Sequence, residues 1–281
     1  IVHRAVGDNL LCVLIDDAFM REGEPQRVAK LLFQPPVRLP IEILNVKERF
    51  LSEMKELRDA EEKRKVFRET FYRVLSETAH REGIQYLVQG TILADIVETA
   101  GGVKTQHNVL SQIGISPKEH YGVHVVEPLK TLFKGDVREV ARYIGLPKEI
   151  AERQPFPGPG LSVRVVGEIK ADKLESLKKA TAIAEENFAK HAPSQYFAAI
   201  IDNLEMSQHH GIVHIQEMSA RYLNDPTRHL FVKVFQDKAT GIKGGERRYG
   251  ETAAIKAQTT DGRIHQATIK YLVTLQTKVI T

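Results

Sequence analysis

Short, unbroken apolar runs alternate with stretches of helical periodicity through the first half of the chain. Residues 10–15, L-L-C-V-L-I, form one such run and read as a buried parallel strand, with Asp16 and Asp17 directly after it. Pro25 suits the first turn of a helix continuing over 26–33, and a Pro-Pro turn then leads to a second strand at 41–46. Between 61 and 82, Val66, Phe67, Phe71, Val74, Leu75 and Ala79 share one face of a long amphipathic helix, which Gly83 is placed to cap. Strands at 86–88 and 123–126 and a helix over 136–144, closed by Gly145 and Pro147, continue the alternation. That order predicts an α/β fold with a doubly wound parallel sheet. Ligands of such sheets sit beyond the carboxyl ends of the strands, where Asp16, Asp17 and the loop after them fall.

The pattern changes at P-F-P-G-P-G-L-S-V-R, residues 155–164. Three prolines cannot continue a helix, and the apolar run 161–166 that follows reads as a strand carrying one cation, Arg164. The expected division is a domain over 1–153 and a smaller α+β domain over 154–281. The glycines leave backbone amides uncovered for an anion, with a plain rigid linker as the alternative. Beyond it, 171–191 predicts a strong helix, and 198–201 is apolar and ambiguous. Strands at 230–235 and 251–257 flank T-G-I-K-G-G-E-R-R-Y, a basic turn that lacks the G-K-[ST] and the helix of a Walker loop.

The segment 90–122 is the least regular of the first half and the richest in chemistry. Gly101 and Gly102 beside Lys104 suit a mobile lid that brings a cation onto phosphate, although an ordinary surface excursion has the same composition. His107, His120 and His124 are too dispersed for a metal site, and His209, His210 and His214 suggest metal but lack a good partner set and read as a polar face, so no metal ligand is assigned.

Composition narrows the picture only where chemistry is at stake. The 281 residues are long enough for two modest cores, and no apolar run is long enough to span a bilayer. With no leader pattern at residues 1–8, a cytoplasmic protein without membrane contact is expected. The single cysteine, Cys12, lies within an apolar run and reads as a buried thiol. A net charge of +4 arises from interleaved acids and bases, which favours anionic small molecules at least as much as nucleic acid, and no nucleic-acid partner is expected.

Several stretches in order resemble the synthetase part of GMP synthetases, in the N-type ATP pyrophosphatase family. They are A-F-M-R-E-G-E at 18–24, E-E-K-R-K at 61–65, Q-G-T-I-L-A-D-I-V-E at 89–98, V-K-T-Q-H-N at 103–108, E-P-L-K-T-L-F-K at 127–134 and the Pro-Gly stretch at 155–164. The glycine-arginine turn at 240–249 resembles it more weakly. The resemblance implies that ATP activates the purine 2-oxygen of XMP with release of pyrophosphate, and that ammonia then displaces AMP to give GMP. It implies an adenosine pocket and ATP contacts at Ile15, Asp16, Gln89, Gly90, Thr91, Lys134 and Asp136. It also implies a lid carrying Asp95, Glu98, Lys104, His107 and Asn108, with Lys104 as the electrophilic contact. XMP would be held by Arg21, Gly158, Gly160 and Arg164. Magnesium is implied by the polyphosphate, and dimerisation by the second domain.

The chain departs from the family pattern at named places. The phosphate-loop motif S-G-G-V-D-S does not occur in the 281 residues, and neither does the family's K-P-P-A-T-I-E-W-E type tail; these residues by themselves are expected to be inactive if the loop is absent from the protein rather than omitted from this stretch. Gln106 replaces the first of two adjacent histidines, Leu93-Ala94 stands where the family usually has an aromatic or apolar residue and proline, and Gly135 and Gly245 occupy acidic positions. A related ATP pyrophosphatase with another acceptor and a non-catalytic assembly paralogue therefore stay open. Cys12, without an elbow of glycines, does not read as a glutaminase nucleophile, which leaves ammonia to come from solution or from a separate glutaminase subunit or domain.

Overall fold

A computed structural model describes residues 1–100, 115–152, 156–188, 197–201, 228–243 and 246–259, of which 98–100 and the last two stretches are described as backbone only. The chain divides into two compact units, Ile1–Ile200 and Ile201–Thr281.

In the first unit, helix α1 (Val2–Val6) and one 3-10 turn precede β1 (Val13–Asp16), followed by α2 (Glu24–Phe33) and β2 (Glu42–Asn45). β1 and β2 pair in parallel, with Val13 opposite Glu42 and Asp16 opposite Asn45. After α3 (Lys47–Glu53) comes the long helix α4 (Ala60–Arg81), the backbone of the unit. Asp59 caps its start by accepting from the amides of Glu61 and Glu62. Its end is a left-handed glycine closure: Gly83, at φ 67°, donates to His80 O while Ile84 donates to Ala79 O. β3 (Tyr86–Val88), α5 (Leu93–Ala100), α6 (Pro117–Tyr121) and β4 (His124–Val126) follow, and β3 and β4 form a second parallel pair. α7 (Lys134–Tyr143), α8 (Lys148–Ala151) and α9 (Ala171–Phe188) complete the unit.

The structure is thus mixed α/β with parallel strands, as the alternation of runs implies. It differs from the sequence reading at several points in this unit. Residues 93–100, expected to be irregular, are helical, because the Asp95 carboxylate accepts from the Ile92 amide and so satisfies a donor at the helix start. Residues 161–166, expected to be a strand, begin as a 3-10 turn over Gly160–Val163, and only Val165 joins a single parallel bridge, to Ile200. A turn lets Leu161 and Val165, four residues apart, both face the interior; they are 0% and 1% exposed.

The core is one cluster built from both sides of the Pro-Gly stretch. Phe19, Phe50, Met54 and Phe67 pack with Leu161, Val165, Leu174 and Leu177. The Phe67 ring touches those of Phe50 (centroids 5.0 Å apart) and Phe19 (6.5 Å). Residues 156–200 therefore belong to the first compact unit, and the boundary between units falls at 200/201, downstream of the composition change at 153/154.

In the second unit β5 (Arg228–Lys243) and β6 (Glu246–Thr259) pair antiparallel from Arg228 opposite Thr259 to Lys243 opposite Glu246, with a register shift between Phe235 and Lys238. These strands are longer than the expected 230–235 and 251–257. Residues 240–243 and 246–249 of the basic stretch belong to the ladder.

Candidate functional site

The chain reverses sharply where β1 ends. Asp16 and Asp17 are both buried there, Asp16 facing Lys47 Nζ at 3.0 Å and Asp17 accepting from the Phe19 amide at 2.8 Å. That side-chain turn is compatible with the left-handed Ala18 between them, at φ 75°, a conformation uncommon outside glycine. Burial pushes the Asp17 carboxyl up to about 6, against the lowering effect of the Phe19 amide. The Phe19 ring lies in the core, and its carbonyl accepts from the amide of the equally buried Leu161 at 2.8 Å. Ile15, expected at the edge of a nucleotide pocket, is itself part of the core.

Two arginines meet across one ring. Arg21 lies 4.1 Å above the centroid of Phe156, and Arg164 lies 4.8 Å from the same centroid and 5.0 Å from that of Phe197. Arg21 is held by carboxylates, its Nη1 at 3.2 Å from Glu24 and its Nε at 2.5 Å from Glu185. Arg164 is 9% exposed and makes no ion pair among the described residues. Burial, and then the charge of Arg21, lower its affinity for its proton. The Glu185 carboxylate that holds Arg21 works in the other direction, so Arg164 is a buried cation packed on aromatic rings with a carboxylate nearby but no direct ion pair among the described residues. Gly160 is buried against Phe19, whereas Gly158 is exposed with open space around it. Of the residues expected at one substrate site, Arg21, Gly160 and Arg164 come together, and Gly158 borders them in the chain.

A second group forms where β3 ends. The buried Gln89 donates through Nε2 to Tyr72 Oη at 2.6 Å, and the buried Thr91 hydroxyl donates to Glu127 Oε1 at 2.7 Å. Gln89 Oε1 has no hydrogen-bond partner among the described residues. Gly90 between them is exposed. Leu93 N donates to Leu132 O, which ties the start of α5 to the loop before α7. Lys134 is the first residue of α7, and Asp136 accepts from the Phe133 amide at 2.9 Å, which makes Asp136 a capping residue as Asp95 is for α5. Both acids have a structural task independent of any ligand.

Lys104, His107 and Asn108 lie outside the described residues, as do Gln106 and Gly245, and so does the side chain of Glu98. Among the described residues no three histidine, cysteine, aspartate or glutamate side chains gather as a metal site, and no helix is long and apolar enough to cross a membrane.

Sequence reasoning missed Lys63, Phe156 and Glu185 as individual residues. Lys63 had a legible signal: with Phe67, Thr70, Val74 and Thr78 it lies on the buried stripe of α4, one turn ahead of the first aromatic. Phe156 and Glu185 had none, because only folding brings them to Arg21.

The described residues thus give an α/β unit with two parallel strand pairs, buried polar side chains after β1 and β3, and a buried arginine without an ion pair among those residues. No protein-family model matches the chain. Among curated proteins it is 44% identical over 256 residues, 91% of this chain, to a subunit of the glutamine-hydrolyzing GMP synthase of Sulfurisphaera tokodaii. It is 40% identical over 276 residues, 98% of the chain, to the subunit of the same name from Saccharolobus solfataricus, and 39% identical over 263 residues, 93% of the chain, to that from Archaeoglobus fulgidus. The chain belongs to this family of GMP synthase subunits. The matches span 65%, 70% and 73% of these relatives' own lengths, respectively.

Proposed function

We propose that this chain is the larger part of an ATP-dependent carbon-nitrogen ligase that converts XMP to GMP. ATP adenylates the purine 2-oxygen and releases pyrophosphate; ammonia then attacks that carbon and expels AMP. Family membership supports the reaction, and the observation that carries it to this chain is the meeting of Arg21 and Arg164 across Phe156. In this reading the pair receives the anionic part of XMP, with Gly158 and Gly160 giving the nucleotide close access to backbone. The relatives' name makes each of them one subunit of a glutamine-hydrolyzing synthase, which supports a separate glutaminase subunit as the source of ammonia.

ATP would lie over the strand ends. Asp16, Gln89, Gly90 and Thr91 border it there, with Ile15 beneath as packing, and Gln89 Oε1 is a free acceptor among the described residues. Lys134 would add its charge to the amide dipoles of α7, and Asp136 would hold that helix start in place. Lys104, with Asp95, Glu98, His107 and Asn108, would close over the polyphosphate and stabilise charge as pyrophosphate departs. Magnesium fits this arrangement only as a companion of the polyphosphate, since the described carboxylates form no cage and Asp16 is occupied by Lys47. When bound, the ion would neutralise phosphate charge.

The doubly wound sheet is proposed as the architecture that unites the two parallel pairs, because parallel strands are stable when both faces are covered. Dimerisation is proposed for the chain beyond residue 154, and specifically for the β5–β6 ribbon, since a two-stranded hairpin alone is marginal in water. A cytoplasmic setting accompanies this reading. The deciding experiment supplies the full-length protein with ATP, magnesium, ammonium and XMP. Pyrophosphate and GMP should appear together; pyrophosphate released only with a different acceptor, or no ATP binding at all, would replace this reading with one of the two alternatives.

A further inference from the structure

Lys63 is the most deeply buried cation among the described residues, 1% exposed, and the proposed reaction gives it no task. It stands on α4, about a hundred residues from the Pro-Gly stretch. Its Nζ nevertheless donates to Val165 O at 2.7 Å and to Gly167 O. A lysine is rarely buried this far unless its charge is answered, and here two backbone carbonyls answer it.

Those carbonyls follow directly after Arg164. The Arg164 amide donates to Leu161 O and its carbonyl accepts from Ile200 N, while the next peptide's oxygen is held by Lys63. The backbone on both sides of Arg164 is thus anchored to three elements: the 3-10 turn, the bridge to Ile200, and α4. Of these anchors, Lys63 is the only side chain, and it acts from a helix whose position is set by the Phe50 and Phe67 rings. A guanidinium lying between two aromatic rings changes its reach if its own backbone rotates by a few degrees, because its side chain is long.

We propose that Lys63 is a positioning residue for Arg164, fixing the peptide that follows it so that the guanidinium stays over Phe156 and directed at the anionic part of XMP. The proposal rests on the reading of Arg164 as an XMP contact. Lys63 touches no substrate in this account and acts only through the backbone of residues 165–167.

The experiment uses the full-length protein and four variants: Lys63→Met, Lys63→Arg, Arg164→Ala, and the double variant of Lys63→Met with Arg164→Ala. Nitrogen-15 spectra of the arginine side chains test the link without any ligand. The Arg164 Nε–Hε resonance should move in Lys63→Met and return towards its original place in Lys63→Arg, while that of the distant Arg4 stays fixed. An unmoved Arg164 resonance in a folded Lys63→Met protein overturns the proposal; if Lys63→Met does not fold, the same comparison is made with Lys63→Gln. Kinetics then test the consequence. Lys63→Met should raise KM for XMP about tenfold or more, with KM for ATP little changed, and should add nothing in the Arg164→Ala background. Equal effects with and without Arg164, or on both substrates, also overturn it. A parent protein that fails to bind XMP, with the spectra behaving as expected, overturns the functional reading and leaves the Lys63–Arg164 link standing.

Discussion

Gly160 lies against the carbonyl of Phe19 so closely that a methyl group built on it would stand 2.4 Å from that oxygen. Its φ of 59° is also one that side-chain-bearing residues rarely adopt. The contact joins the reversal after β1 to the turn that carries Arg164, and the Leu161 amide seals it with a hydrogen bond to the same oxygen. Gly160→Ala is therefore expected to destabilise the protein by about 2 kcal/mol or more, from backbone strain and displaced core together. Gly158→Ala, with open space around the site and no positive φ, should leave denaturant midpoints nearly unchanged. Matching losses in the two variants would contradict this account.

Asp17 should make the protein less stable as pH rises through mild acidity. In the unfolded chain its carboxyl titrates near 3.8, but in the fold at about 6, so between those values the native state holds the extra proton. Stability then falls with rising pH over that window, by up to about 3 kcal/mol. Asp17→Asn keeps an acceptor for the Phe19 amide and should flatten that part of the profile, with a higher melting temperature than the parent at pH 7. A parallel profile in the variant would remove Asp17 as the cause.

Lys63 predicts the opposite slope at the alkaline end. Burial, assisted by the nearby Lys173 and resisted by Asp59, lowers it from 10.5 to about 8. Between about 8 and 10.5 the unfolded chain binds the extra proton, so this group makes stability rise with pH by about 1 to 3 kcal/mol. The two carbonyl acceptors, which favour the charged form, limit the size of the rise. Urea titrations of parent and Lys63→Met at pH 8 and pH 10 measure it as a difference of differences.

Lys104→Ala, in a full-length protein, should slow pyrophosphate release by about a hundred- to a thousandfold and leave the melting temperature nearly unchanged. Two glycines, Gly101 and Gly102, stand close before Lys104 in the sequence, which suits a lid residue whose charge serves the departing phosphate more than the core. Equal single-turnover rates in parent and variant would take Lys104 out of the proposed mechanism.

Cys12 is half-buried at the start of the β1 segment, its carbonyl accepting from Glu42 N, and burial pushes its thiol up, away from the reactive thiolate. The purified protein is expected to make GMP with ammonium and none with glutamine, to gain glutamine-dependent activity when a glutaminase subunit is added, and to behave the same way as Cys12→Ser. Glutamine-dependent product from the purified polypeptide would refute the structural assignment of Cys12.

What was legible in the sequence is what depends on neighbours along the chain. The period of apolar residues determines α4 and its glycine closure, and runs of branched residues determine β1 to β4 to within a few positions. The same holds for the acids at the end of β1, since a strand's end is set by where its apolar run stops. A 3-10 turn and a strand, by contrast, both accept L-S-V-R-V-V; only packing chose, because Leu161 and Val165 must both reach a core that Phe19 and Phe67 already occupy. The arginine pair was legible as two residues in two motifs and not as a pair. Its meeting across Phe156 and the reach of Lys63 to Val165 span roughly a hundred residues or more of chain, and the energy that brings them together is the burial of a shared apolar core, which no local pattern records.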